Sequence, residues 1–260
     1  MDLTIQPLCS SSAGNCVTLC SRTTRLIIDC GLSSMRRTRE ILSTLHQSVP
    51  IGAVLLSHIH GDHISHYPLR VLDEMHLPVR LHESCLAPLR DKHYKGRRFS
   101  SLTLAPFDGG LFEIGDFRIE PFEVTHQPRC ATFGYKIYHG RQKIVIATDF
   151  CQWDDLVDHF VDADFIFVES NHDLKLLRQN FNPNSRYHLP NPQTAELLMA
   201  AVGQSQRPPK AVMLGHLSSR RNTATLAVKE TVQAFKRAGR EMPFKLSAAP
   251  LKEAGQALRI

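Results

Sequence analysis

Residues 53–64 read AVLLSHIHGDHI, a short apolar run that passes directly into His58, His60, Asp62 and His63. Residues 53–56 have the length and composition of a buried strand, so four ligand-type side chains emerge at a strand's end. His58 and His60 are two apart, and in an extended or turning backbone both imidazoles reach one ion. Asp62 and His63 follow in a turn that Gly61 makes permissive, within reach of a second ion. A lone histidine is usually an ordinary core or surface residue. Four such residues in six positions behind a buried strand point to metal. Imidazole with carboxylate suits zinc, manganese or iron(II), zinc or manganese ahead of iron, in sites that keep open positions.

The arrangement recurs along the chain. Residues 122–124 lead to His126, 144–146 to Asp149 and 212–214 to His216, each an apolar run that ends in a potential ligand. Rigid sheet edges can hold several side chains around one point, and in α/β sheets sites gather beyond the carboxyl ends of strands.

The remaining pattern sets the fold class. Strands are expected at 3–8 and 16–20 around the polar turn Ser10–Asn15, at 25–29 and at 79–82. Hairpins are expected around Gly115-Asp116 and His139-Gly140-Arg141, with a further strand at 165–168. Helices are expected at 35–45, 69–75, 153–160, 194–202 and 223–240, the last with Gly239 near its end. Two strand-rich halves, each finished by β/α units, predict an α/β (α+β) chain with two sheets face to face and helices outside. No linker, repeat or low-complexity segment divides it, so residues 1–260 are expected to form one domain.

Composition narrows the setting. Hydrophobic residues at 42% and charged residues at 22% are ordinary for a globular protein. No stretch reaches the roughly 18 consecutive apolar residues that would span a bilayer, and residues 1–8 lack the features of a signal peptide. Seven scattered cysteines without a CxxC pair fit reduced thiols, and a cytoplasmic address is expected. A net charge of +6 favours a polyanionic partner. Residues 91–99, DKHYKGRRF, set Lys92, Lys95, Arg97 and Arg98 around Tyr94 and Phe99, either a solvated loop or a phosphate-contacting arm.

SHIHGDHI closely resembles the HxHxDH signature of the metallo-β-lactamase superfamily, and the order of the later ligands resembles it too. The resemblance spans nearly the whole chain and implies a four-layer αββα sandwich with two metal ions at the sheet edge. It implies His58, His60 and His126 on the first ion, Asp62, His63 and His216 on the second, and Asp149 between them. Further segments are similar to the YycJ/WalJ-like branch: SSAGN at 11–15, IIDCG at 27–31, ESNHD at 169–173, and His216-Leu217-Ser218 with Asn222. One position departs. Where relatives carry Gly-His-Leu-Ser-Asn, this chain has Tyr187-His188-Leu189-Pro190-Asn191, which keeps His188 but loses the serine hydroxyl.

That branch implies a 5′-to-3′ DNA exonuclease that uses a metal-bridging hydroxide, with DNA favoured over RNA. Asp149 would hold the bridge and Asp62 would orient the nucleophile. His172 is the candidate proton donor to the leaving alkoxide, with Glu169 as its orienting partner. Ser11, Ser12 and Asn15 are candidates for a phosphate cradle, joined by His188 and by Arg129, three residues past His126. The competing expectation is hydrolysis of a small or cyclic phosphodiester, or of a thioester, on the same scaffold.

Overall fold

The computed structural model describes residues 3–128 and 131–260. Its first half runs through β1 (Thr4–Ser11), β2 (Gly14–Cys20), β3 (Arg25–Ile28), α1 (Met35–Ser48), β4 (Ile51–Leu55), α2 (His66–Glu74), β5 (Val79–His82), α3 (Leu86–His93) and β6 (Leu104–Phe107). The second opens with β7 (Phe112–Ile114), β8 (Phe117–Val124), β9 (Thr132–His139), β10 (Gln142–Ala147), α4 (Val157–Phe160) and β11 (Phe165–Glu169). It ends with α5 (Leu174–Gln179), α6 (Asn191–Gln204), β12 (Ala211–Gly215), α7 (Ala224–Arg237), β13 (Lys245–Ala248) and β14 (Leu258–Arg259). The described strands form two seven-stranded mixed sheets, ordered β14-β1-β2-β3-β4-β5-β6 and β13-β12-β11-β10-β9-β8-β7.

Side-chain alternation makes this a four-layer structure. Leu26, Ile28, Ala53 and Leu55 of the first sheet meet Ile144, Ile146, Phe165, Phe167 and Met213 of the second in the inter-sheet core. Their neighbours point the other way. Ile27 and Val54 pack under helical residues such as Leu42, Leu69, Leu72 and Leu89. On the opposite side Val145, Ile166, Val168, Val212 and Leu214 pack against Phe160, Leu197, Leu198, Ala227 and Phe235. A strand buried on both faces reads as a continuous apolar run, which is why these strands are visible in the sequence. The expected αββα sandwich is the observed architecture.

Local differences have local reasons. Residues 153–160 do not form one helix: Asp154–Leu156 is a 3-10 turn and only Val157–Phe160 is α-helical. The supposed arm at 91–99 is partly regular, because α3 runs on through His93. α7 begins where expected, with Thr223 Oγ1 accepting the N–H of Leu226 at 3.1 Å, and it ends before Gly239, whose φ is +64°. Among the described residues no helix is long and apolar enough to cross a membrane.

Candidate metal centre

The carboxyl ends of six strands meet at one edge of the sandwich. Asp29 follows β3, the loop 56–65 follows β4, His126 follows β8, Asp149 follows β10, Glu169 closes β11 and His216 follows β12. Asp29, Asp149 and His216 turn the chain out of their strands with φ of 58°, 60° and 50°. Left-handed backbone is costly for residues with a Cβ, and the flanking sheet hydrogen bonds must enforce it. These three side chains therefore leave the sheet in a fixed direction.

The loop carrying the histidines is closed by its own backbone and by two neighbours. The N–H groups of His63 and Ile64 both donate to His60 O at 2.9 Å. Asn15 N donates to Asp62 O at 2.8 Å, and Cys30 N to His63 O at 2.7 Å. Gly61 has open space around it and needs no left-handed φ, so it is not the permissive residue expected from its position. The glycine this turn requires is Gly31. A Cβ there would sit 1.7 Å from Asp62 O.

Two groups of donor atoms result. His58 Nε2 lies 2.9 Å from His60 Nδ1, which lies 3.3 Å from His126 Nε2. Asp62 Oδ2 lies 3.6 Å from His63 Nε2 and 3.3 Å from His216 Nε2. The Asp149 carboxylate stands between them, with Oδ2 2.9 Å from His63 Nε2 and 3.4 Å from His216 Nε2, and Oδ1 3.7 Å from His126 Nε2. All seven predicted ligands are brought together. Asp149 is 2% exposed, and its Oδ2 is buried without a hydrogen-bond partner although His63 Nε2 is close. A buried anionic oxygen that its neighbours approach without bonding fits a cation shared among them.

The outer nitrogens of these rings are held by other groups. An imidazole nitrogen facing a carboxylate or a carbonyl carries the proton, leaving the other nitrogen free as a donor to metal. His63 Nδ1 donates to Asp29 at 2.8 Å, His126 Nδ1 to Tyr187 O at 3.0 Å and His216 Nδ1 to Glu169 at 3.0 Å. Ser57 Oγ lies 2.8 Å from Asp29 Oδ2 and 3.1 Å from His58 Nδ1, so donating to the carboxylate leaves it to accept from His58. In the sequence Asp29 stands within IIDCG. The rule that found the other ligands, a strand ending in a carboxylate, also picks it out.

Charge divides the two groups. Burial holds His58 well below the usual histidine range, lowers His60 to about 4 and lowers His126. At His63 and His216 burial acts in the same direction, but the carboxylates outweigh it. Asp149, Asp29 and Asp62 raise His63 well above its ordinary value, and Asp149 with Asp62 and Glu169 raises His216 to about 10. Burial alone would raise Asp149, yet His216 and His63 hold it well below the carboxylate range.

The other predicted site residues divide. Ser11 is 1% exposed and its hydroxyl accepts the N–H of Ala13 within the turn, while Ser12 is exposed at the tip. The amide nitrogen of Asn15 is 3.0 Å from His63 Nε2 and 3.5 Å from Asp62 Oδ2. Ser10 Oγ accepts the N–H of His216 at 2.7 Å. The hairpin thus braces the donors, and of the expected cradle only Ser12 is free to meet a ligand. His188 stands beside the centre, its Nδ1 donating to Glu169 at 2.7 Å and lying 3.5 Å from Asp149 Oδ1. Glu169 serves His188 and His216, correcting the expectation that it orients His172. His172 Nδ1 instead faces Asn171 Oδ1 at 3.2 Å, and burial lowers His172 to about 4. Arg129 lies outside the described residues.

Comparison with known proteins agrees with this geometry. The family described as the β-lactamase superfamily domain matches residues 24–242. Exodeoxyribonuclease WalJ of Streptococcus pneumoniae is 28% identical, with 95% of this chain and 96% of the relative covered. Exodeoxyribonuclease YycJ of Bacillus anthracis is 28% identical, with 92% and 91% covered. The crystal structure of the metallo-β-lactamase fold protein YhfI from Bacillus subtilis matches at a TM-score of 0.75 and 19% identity, with 100% of both chains covered, a likeness of fold.

Proposed function

The chain belongs to the β-lactamase superfamily, and on that premise we propose that it is a metal-dependent phosphodiesterase that degrades DNA from a strand end, in the 5′-to-3′ direction. The observation that carries the reading is the Asp149 carboxylate set between two histidine groups, with one oxygen toward each. His58, His60 and His126 would hold one divalent ion, and Asp62, His63 and His216 a second, with zinc or manganese suited to imidazole and carboxylate. Two such ions, when bound, supply Lewis-acid charge and lower the pKa of a water molecule. The names of the relatives at 28% identity support DNA as the substrate, and the net charge of +6 agrees with it.

The chain's own residues would do the rest. Asp149 is fixed by burial. The Asp62 side chain, 25% exposed, is open enough to orient an incoming water. His188 replaces His172 as our candidate proton donor, because Glu169 fixes its ring beside the donors while His172 is held neutral at about 4. The test is to incubate the protein with Mn²⁺ or Zn²⁺ and single- or double-stranded DNA labelled at either end. Mononucleotides should be released first from the 5′ end, and His60→Ala should abolish the release. Intact DNA alongside turnover of a small cyclic phosphodiester would sink the exonuclease reading.

A further inference from the structure

Two depressions adjoin the donor cluster, and they differ in charge. The larger, about 980 Å³, lies on the His126 side and is lined by Glu123, Asp154 and Asp155, with no Lys or Arg among the described residues of its wall. The smaller, about 380 Å³, is lined by His172 and by His188, which stands beside the metal donors. No carboxylate lines it among the described residues. A nucleic-acid strand carries a negative charge at each phosphate, so the acidic groove repels it and the smaller pocket does not. Its volume is within the range of small-ligand sites.

The smaller pocket also holds groups without a structural use. Ser185 is 3% exposed, and its hydroxyl is buried with no hydrogen-bond partner. Buried polar groups are nearly always bonded, so this one points to a ligand. Arg186 is exposed, and its guanidinium lies 4.7 Å over the Tyr187 ring and donates to Tyr187 Oη at 2.6 Å. It has no carboxylate partner among the described residues, so its charge is available to an anion. Asn182 and Gln193 add amide donors and acceptors. At the rim Phe181 is 79% exposed, the most exposed of the described large hydrophobic side chains, and it offers a ring face on which a base can stack.

We propose that this pocket receives the terminal phosphorylated nucleotide of the strand, with its base against Phe181 and its end phosphate at Arg186 and Ser185. The next phosphodiester then lies at the metal donors beyond His188. The inference rests on the exonuclease reading and supplies what that reading lacks, a means of recognising a strand end. The pocket accounts for removal of one nucleotide at a time.

Phe181 and Arg186 are exposed, so Phe181→Ala and Arg186→Ala should fold, which circular dichroism would check. Equilibrium dialysis with deoxyadenosine 5′-monophosphate and 3′-monophosphate measures the pocket directly: the 5′-monophosphate should bind more tightly, and tighter binding of the 3′-monophosphate would overturn recognition of a 5′ end. Each variant should weaken binding of the preferred isomer at least tenfold. Each should also lower kcat/KM on phosphorylated DNA ends at least tenfold more than on bis(p-nitrophenyl) phosphate. Dissociation constants equal to wild type in both variants overturn the pocket, even where the wild type degrades DNA. Weakened monophosphate binding in a protein that leaves DNA intact retains the pocket and overturns the exonuclease reading.

Discussion

Asp29 is buried, and it fixes which nitrogen of His63 faces the centre, at a sequence separation of 34 residues. Replacing it with Asn removes the charge that holds the Nδ1 proton. Loss of such a support typically costs about 10–100-fold in metal affinity. Asp29→Asn is therefore expected to weaken the second ion's binding by that factor and the first ion's by less, through Ser57 and His58, as measured by chelator competition. Wild-type affinity for the second ion in this variant would show that His63 is held by packing alone. Gly31→Ala acts through the backbone, because its Cβ would meet Asp62 O at 1.7 Å and a carbonyl in that turn has nowhere to go. We expect it to destabilise the fold by about 3 kcal/mol, the upper end of overpacking, with both metal affinities falling in parallel. A melting temperature within a degree of wild type would mean the loop yields freely. The sequence showed the seven donors because each follows an apolar run. It marked Asp29 and Glu169 as strand-end carboxylates but not the rings they serve, His63 for one and His188 and His216 for the other, and it could not separate Ser12, which is free, from Ser11 and Asn15, which are engaged.

At the level of elements, legibility follows burial. β4, β10, β11 and β12 are central strands covered on both faces, and all stand out as apolar runs. The unpredicted strands β6, β13 and β14 are sheet edges. An edge strand has one neighbour and less burial, and it tolerates proline, as at Pro106 of β6, so it leaves no apolar signature. The segment after α3 shows how an element can carry a surface to the site. His93 Nε2 donates to Ile59 O at 2.8 Å, between His58 and His60, and His66 Nδ1 donates to His93 O at 2.9 Å. Tyr94 and Phe99 pack edge to face at 4.5 Å, so the aromatics anchor the segment and the cations are left to face solvent. Replacing Lys95, Arg97 and Arg98 with Ala should weaken DNA binding and flatten the slope of log K against log salt by about 2. An unchanged slope would return these residues to an ordinary solvated surface.

Across the whole molecule, the strand ends deliver acidic groups that burial alone would not tolerate, and the ionic state of the protein depends on what cation meets them. Without metal, protons fill that role unevenly. His58, His60 and His126 are neutral near pH 7, so their nitrogens are ready for an ion. His63 and His216 are protonated, and a metal must displace those protons. The linkage for His216 has a definite sign. Its folded value, about 10, lies above its ordinary 6.5, so its stabilisation is complete below pH 6.5 and is lost as pH rises toward 10. Glu169, lowered to about 2, contributes above its ordinary 4.5 and loses that contribution only in acid, outside this window. Over the same alkaline rise the proton competing for the second group leaves, and metal affinity there grows by roughly tenfold per pH unit for each proton displaced. The metal-free protein should therefore melt at progressively lower temperature between pH 6.5 and 8.5, while the manganese-loaded protein holds its melting temperature. Calorimetric titration at pH 7.5 in two buffers of different ionisation enthalpy should find protons released by the second ion and none by the first. A melting gap that narrows with pH, or two ions that release protons equally, would mean that the carboxylates do not divide the centre into a neutral half and a proton-holding half.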